Sequence, residues 1–188
     1  MVVGSTGIGR VDKFDGVARL TSRSTCRVAL AISALFLILG PTPALAQAGG
    51  ADRVRISGLS DVPFGTISNF STDYVRTQSV CLYAKAPPAN HYRITATGSG
   101  NGGQFNLSSG GNTLPYQVAW SNAPGQSSGA LFSPNIPLGG LPNSARNDNC
   151  SNGPATTASL IVTVKSSDLA SAIAGIYSGS LTLLIAPE

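Results

Sequence analysis

Tyr177-Ser-Gly-Ser-Leu-Thr-Leu-Leu-Ile185 alternates in steps of two. Tyr177, Leu181, Leu183 and Ile185 fall on one side of an extended chain, and Ser178, Ser180 and Thr182 on the other. That period belongs to a half-buried β-strand and not to a helix, whose apolar face recurs every three to four residues. The four apolar positions are therefore the expected C-terminal core strand.

The same pattern recurs upstream. In His91-Tyr-Arg-Ile-Thr-Ala-Thr97, Tyr92, Ile94 and Ala96 share a face; in Leu114-Pro-Tyr-Gln-Val-Ala-Trp120, Tyr116, Val118 and Trp120 do; and Leu160, Val162 and Val164 alternate with Ile161, Thr163 and Lys165. Further strands are expected at Val54–Ser57, Val62–Ile67, Gln78–Ala84 and Gln104–Ser108, with turn signals at Ser99–Gly103, Ser109–Asn112 and Asn152-Gly153. The glycine cluster at 98–103 lies between two strands and reads as a hairpin turn. One short helix is expected over Ser167–Ala174, capped by Ser167 or Asp168 and stopped at Gly175. Asn122 to Pro154 is rich in Gly, Pro, Ser and Asn and is expected to hold one short edge strand. The fold class is an all-β, immunoglobulin-like antiparallel β-sandwich in a single domain, with a closed small barrel as the alternative.

Ahead of this lies a different kind of sequence. Arg23 and Arg27 lead into the apolar run Val28–Leu39, followed by Gly40-Pro-Thr-Pro43 and Ala44-Leu-Ala46. A basic region, an apolar core of about a dozen residues, a helix breaker and small residues at −3 and −1 describe a secretory signal peptide cleaved between Ala46 and Gln47. The run is short of the ~20 residues that span a bilayer. An uncleaved anchor is the alternative, and no membrane span is expected in the mature chain. The organisation is then 1–46, a signal peptide with an over-long N-region, and 47–188, one sandwich domain. Met1 to Thr25 looks more like translated upstream sequence than a designed segment, and residues 1–16 are set aside from the fold.

Cleavage changes the charge. Five of the twelve basic residues and two of the eight acids precede Gln47, leaving seven against six. The basicity belongs to the export signal, and nucleic-acid binding is not expected. Of three cysteines, Cys26 lies in the signal, so Cys81 and Cys150 form an even pair in an oxidising compartment and are expected to be a disulfide. No C-x-x-C spacing is present and His91 is the only histidine, so neither a zinc site nor a redox motif has its ligands.

Catalysis is not expected. The mature acids are Asp52, Asp61, Asp73, Asp148, Asp168 and Glu188, with no paired spacing, and there is no nucleophile elbow or phosphate loop. His91 reads as a solvated edge histidine. Tyr92, Tyr116 and Trp120 are assigned to the core in preference to an aromatic sugar platform. No cofactor is implied. The Asn-x-Ser triplets at Asn69, Asn106 and Asn149 are assigned no role.

Four segments, in order, resemble the spore coat protein U domain family, which includes subunits of archaic (Csu-type) chaperone–usher pili. They are Asp61-Val-Pro-Phe-Gly-Thr66, Val80-Cys81 with Tyr92-Arg-Ile-Thr95, Leu114-Pro-Tyr-Gln-Val118, and Ala174-Gly-Ile-Tyr-Ser-Gly-Ser-Leu-Thr-Leu183. The resemblance implies an incomplete sandwich assembled by donor-strand complementation. It also implies a periplasmic chaperone, an outer-membrane usher and neighbouring pilin-like subunits as partners, in a fimbrium of a Gram-negative cell surface serving adhesion or biofilm formation. Three departures stand out: the family often places its first cysteine ahead of the Phe-Gly segment, whereas here the partner for Cys81 is Cys150; Gly179 takes the place of the usual aspartate; and only Gln47-Ala-Gly-Gly-Ala-Asp52 precedes Arg53. A transmitted donor strand would have to be Arg53–Leu59, with Val54 and Ile56 as its plug residues; without one the chain is an acceptor alone or a complete sandwich. The alternative function is a self-complete secreted or periplasmic binding module for glycan or protein.

Overall fold

The computed structural model describes the backbone of residues 2–9 and the whole of residues 52–188. The expected signal segment Arg23–Ala46 and the cleavage pair Ala46 and Gln47 lie outside the described residues. The strands are β1 (Val2–Gly9), β2 (Arg53–Ser57), β3 (Gly65–Thr66), β4 (Tyr74–Lys85), β5 (His91–Gly98), β6 (Asn106–Ser109), β7 (Asn112–Pro115), β8 (Gln117–Ser121), β9 (Ala130–Leu131), β10 (Pro137–Pro142), β11 (Ala158–Val164) and β12 (Ile176–Pro187). One short helix, α1 (Ser166–Ser171), joins β11 to β12.

These strands form an all-β sandwich. One sheet runs β2-β4-β11-β8-β9; the other runs β10-β5-β12-β1-β3, with the β6–β7 hairpin attached to β12. Taken in chain order, β2, β4, β8 and β11 give the A-B-E-D sheet of an immunoglobulin-type sandwich, and β5 beside β12 gives its C–F pair. Alternation sets which side chains meet between the sheets. Ile94 and Ala96 from β5, Val118 and Trp120 from β8, Leu160, Val162 and Val164 from β11, and Tyr177, Leu181 and Leu183 from β12 all lie in one buried cluster. Ile185 packs half-buried against it.

Several local expectations are corrected. Gly98–Gly103 is not a hairpin turn, because β5 and β6 do not pair with each other. Both run antiparallel to β12, β5 along Leu181–Pro187 and β6 at Ser178. They are one strand line interrupted by an excursion, which contains a short 3₁₀ turn at Asn101–Gly103 and is closed by the Gly100 N–H donating to the Gln104 carbonyl at 2.9 Å. That carbonyl occupies the space a Cβ on Gly98 would need, which is why this position takes glycine. The 122–154 stretch holds two strands, not one: β9 pairs with β8, and β10 pairs with β5. Since β5 lies between β10 and β12, His91 begins an interior strand and is half-buried, not on an edge. The expected strand Val62–Ile67 shrinks to Gly65–Thr66, although Val62, Phe64 and Ile67 are all buried.

The helix begins at Ser166, one residue earlier than expected, and stops at Ser171. Neither Ser167 nor Asp168 caps it. The cap comes from outside the helix: the Asp73 carboxylate accepts from the Ser166 N–H at 2.9 Å and pairs with Lys165 Nζ at 2.8 Å. Those two donors, Lys165 foremost, hold the Asp73 carboxyl below its ordinary range.

Candidate functional site

The position beside β12, on the side away from β5, distinguishes this sandwich. In an immunoglobulin-type sandwich the strand paired with F there is G, which follows F in the chain. Here β1, from the opposite end of the sequence, lies between β12 and β3, parallel to β12 and antiparallel to β3. The register sets Val2 against Ile176, Val3 against Tyr177, Thr6 against Gly179 and Ile8 against Leu181, with an irregularity between Val3 and Thr6. On its other flank Val2 stands opposite Thr66 and Val3 opposite Gly65. Residues 1–16, set aside from the fold on sequence grounds, thus include a segment that pairs within it.

The walls of this position are β12 and β3 of one sheet, with support from β4 of the other. Ser178, Ser180 and Thr182 are exposed along β12, while Tyr177 and Leu181 are buried. The Tyr177 hydroxyl donates to the Ile173 carbonyl at 2.8 Å, fixing the entry to β12, and Tyr116 donates to the Ser180 carbonyl at 3.4 Å. Gly179 faces inward between these. A Cβ there would lie 2.9 Å from Ser99 Oγ, 3.0 Å from the Asn106 carbonyl oxygen and 3.1 Å from a Leu107 methyl, so any side chain at this position requires these neighbours to shift. The opposite wall, β3, is held by Arg76 on β4. Its guanidinium donates to the Pro63 carbonyl at 3.2 Å and lies 4.9 Å from the centre of the Tyr74 ring, while Phe64 beneath is buried.

Cys81 on β4 and Cys150 are joined by a disulfide, with Cα atoms 6.0 Å apart and a sequence separation of 69. It ties the loop after β10 to the face of β4, against Ala145 and Tyr83. Val54 and Ile56, expected as donor-strand plugs, are placed in the chain's own sheet: β2 pairs with β4 over Arg53–Ser57, and Ile56 is buried in the core.

Tyr92, Tyr116 and Trp120 are core residues. Trp120 Nε1 donates to the Tyr92 hydroxyl and to Asn122 Oδ1, each at 3.1 Å, and the Tyr92 hydroxyl donates to Asn122 Oδ1 at 2.8 Å. Burial pushes Tyr92 up to about 12, with Trp120 pulling the other way, and Tyr116 up to about 12 by burial alone. Thr157, which no pattern in the sequence signals, is buried and bridges to β4: its Oγ1 accepts from the Leu82 N–H at 2.9 Å and donates to the Leu82 carbonyl at 3.0 Å. Three of the acids sit in surface ion pairs: Asp73 with Lys165, Asp148 with Arg53 and Arg55, and Glu188 with Arg93. Among the described residues no three His, Cys, Asp or Glu side chains gather as metal ligands would, and no helix is long and apolar enough to cross a membrane.

The class of protein this defines is an all-β sandwich in which a strand from a distant part of the sequence lies beside β12. Compared with family models, curated proteins and solved structures, the chain matches none.

Proposed function

We propose that the mature chain is a non-catalytic structural subunit, exported to the periplasm or cell surface, that accepts a strand from another protein along Ile176–Thr182. The observation that carries this is the origin of β1. Val2–Gly9 lies on the N-terminal side of the expected cleavage between Ala46 and Gln47, so processing removes the strand that pairs with β12 and with β3. Two flanks of backbone donors and acceptors then become open sheet edges, each a template for pairing with another chain. An extended segment from another chain restores both ladders, which is strand addition. The resemblance to spore coat protein U domains and to archaic pilus subunits supports the same conclusion, with a periplasmic chaperone as the first donor and a neighbouring subunit as the last.

The test is the oligomeric state and thermal unfolding of residues 47–188 recovered oxidised from a periplasm that lacks any cognate chaperone. Aggregation or proteolysis, relieved by a co-expressed chaperone of the pilus type, is expected. A soluble monomer with a single cooperative transition and no response to chaperone would overturn the proposal in favour of a self-complete binding module.

A further inference from the structure

We infer that this subunit accepts a strand but does not pass one on, so that it closes one end of whatever fibre it joins. The inference rests on the strand-acceptor proposal above and adds the direction of assembly to it. A subunit that propagates a fibre needs a free strand as well as an open edge. The segment available here, Arg53–Ser57, is committed internally. All five of its residues are in register with β4, from Arg53 opposite Lys85 to Ser57 opposite Cys81. Ile56 is 7 % exposed, and Val54 packs against the same core.

A second set of contacts holds this strand down from outside. Asp148 Oδ2 lies 3.3 Å from Arg53 Nη2 and 3.7 Å from Arg55 Nη1, so one carboxylate bridges two side chains of β2. The loop that carries Asp148 is itself anchored to β4. Cys150, two residues on, is bonded to Cys81, and Asn143 Oδ1 accepts from the Ala84 N–H at 3.2 Å. Releasing β2 for a neighbour would break both sets of contacts and uncover Val80, Leu82 and Ala84, each of which is buried.

The stretch between the expected cleavage and β2 cannot substitute. Gln47-Ala-Gly-Gly-Ala-Asp52 has two adjacent glycines, no large apolar residue and no alternation, and strands are usually five or six residues long with side chains to pack. The occupant of the edge is therefore a segment of a different protein. Paired residues of neighbouring strands point to the same face, so it needs apolar side chains opposite Tyr177 and Leu181 and polar ones opposite Ser178, Ser180 and Thr182.

Two peptides separate the possibilities. Residues 47–188, oxidised, are mixed with a peptide of sequence Val2–Gly9, the strand that lies at this edge, or with a peptide of sequence Gln47–Leu59. Thermal shift is read alongside light scattering of the chain alone at high concentration. The expected result is a higher melting temperature with the Val2–Gly9 peptide, no change with Gln47–Leu59, and no ladder of oligomers. Stabilisation by Gln47–Leu59, or a ladder of head-to-tail oligomers, would overturn the one-way assignment while leaving the strand-acceptor function standing. A monomer indifferent to both peptides would overturn both.

Discussion

Raising the pH from 9 to 11.5 is expected to destabilise the sandwich through two buried tyrosines. Tyr92 and Tyr116 are both raised to about 12 in the folded chain, against 10 when unfolded. Their neutral forms are favoured by the fold because burial penalises the phenolate. A folded pKa above the unfolded one means that between the two values the native state holds more protons than the unfolded state. Stability is therefore complete below about pH 10 and is lost as the pH rises toward 12. Each unit of difference corresponds to about 1.4 kcal/mol, so each tyrosine contributes on the order of 3 kcal/mol that disappears across that window. Together they approach the whole stability of an ordinary domain, about 5–15 kcal/mol. Urea unfolding of residues 47–188, with its strand partner bound, should show a midpoint falling steeply above pH 10. Absorbance at 295 nm should show two tyrosines ionising only as the chain unfolds. Tyr92→Phe should remove about half of the slope, at a cost near neutral pH of about 1 kcal/mol for the hydroxyl that donates to Asn122. A midpoint that stays flat to pH 11.5, or native-state ionisation of every tyrosine near pH 10, would refute the assigned burial.

Further outcomes follow from single contacts. Thr157→Val keeps shape but removes the group that satisfies the Leu82 N–H, and should cost about 1–3 kcal/mol in chemical denaturation. Gly179→Ala should cost a similar amount by overpacking against Asn106 and Leu107, whereas Ser178→Ala on the exposed face should stay within about 0.5 kcal/mol. Replacing Cys81 and Cys150 together by serine should lower stability by up to about 4 kcal/mol on the loop-entropy argument for a separation of 69 residues, read as the difference between the variant's unfolding curve and that of the oxidised parent chain.

Period-two alternation made much of the sandwich legible in the sequence, because each strand has one face in the core and one in water. It is what places Tyr92, Trp120, Val162 and Leu181 inside together. Where a strand is not half-buried the signal fails. β9, only two residues long, and β10, carrying Pro137, Gly139, Gly140 and Pro142, show no alternation, so the stretch suggested one short edge strand where two pair. The Gly98–Gly103 cluster looks like a turn because glycine signals tight backbone geometry, and only the pairing of both β5 and β6 with β12 identifies it as an excursion within one strand line. Capping at a distance is equally silent: nothing near Ser166 points to Asp73, which lies 93 residues away. The surroundings of β12 were legible only in part. The alternating face of β12 can be read directly, but that its other flank pairs with Val2–Gly9 depends on long-range geometry that no local pattern encodes.

The remaining edges of the two sheets show by contrast why the β12 flank matters. Edge strands invite unwanted pairing, and proteins blunt them with charge, proline or brevity. β2 presents Arg53 and Arg55, β10 is bounded by Pro137 and Pro142, and β3 and β9 are two residues each. The flank of β12 that pairs with β1 carries none of these devices over Ile176–Thr182: Ile176, opposite Val2, is 68 % exposed, and the residues that follow are uncharged. Under the proposed strand uptake, this contrast is what the flank that receives a partner would show. A charge placed there should act as a gatekeeper. Ile176→Lys is expected to leave urea stability of the complemented chain within about 0.5 kcal/mol, since the side chain is exposed, and to slow both aggregation of residues 47–188 and capture of a Val2–Gly9 peptide. Equal capture and aggregation rates for the variant and the parent chain would show that strand uptake does not begin at this end of β12.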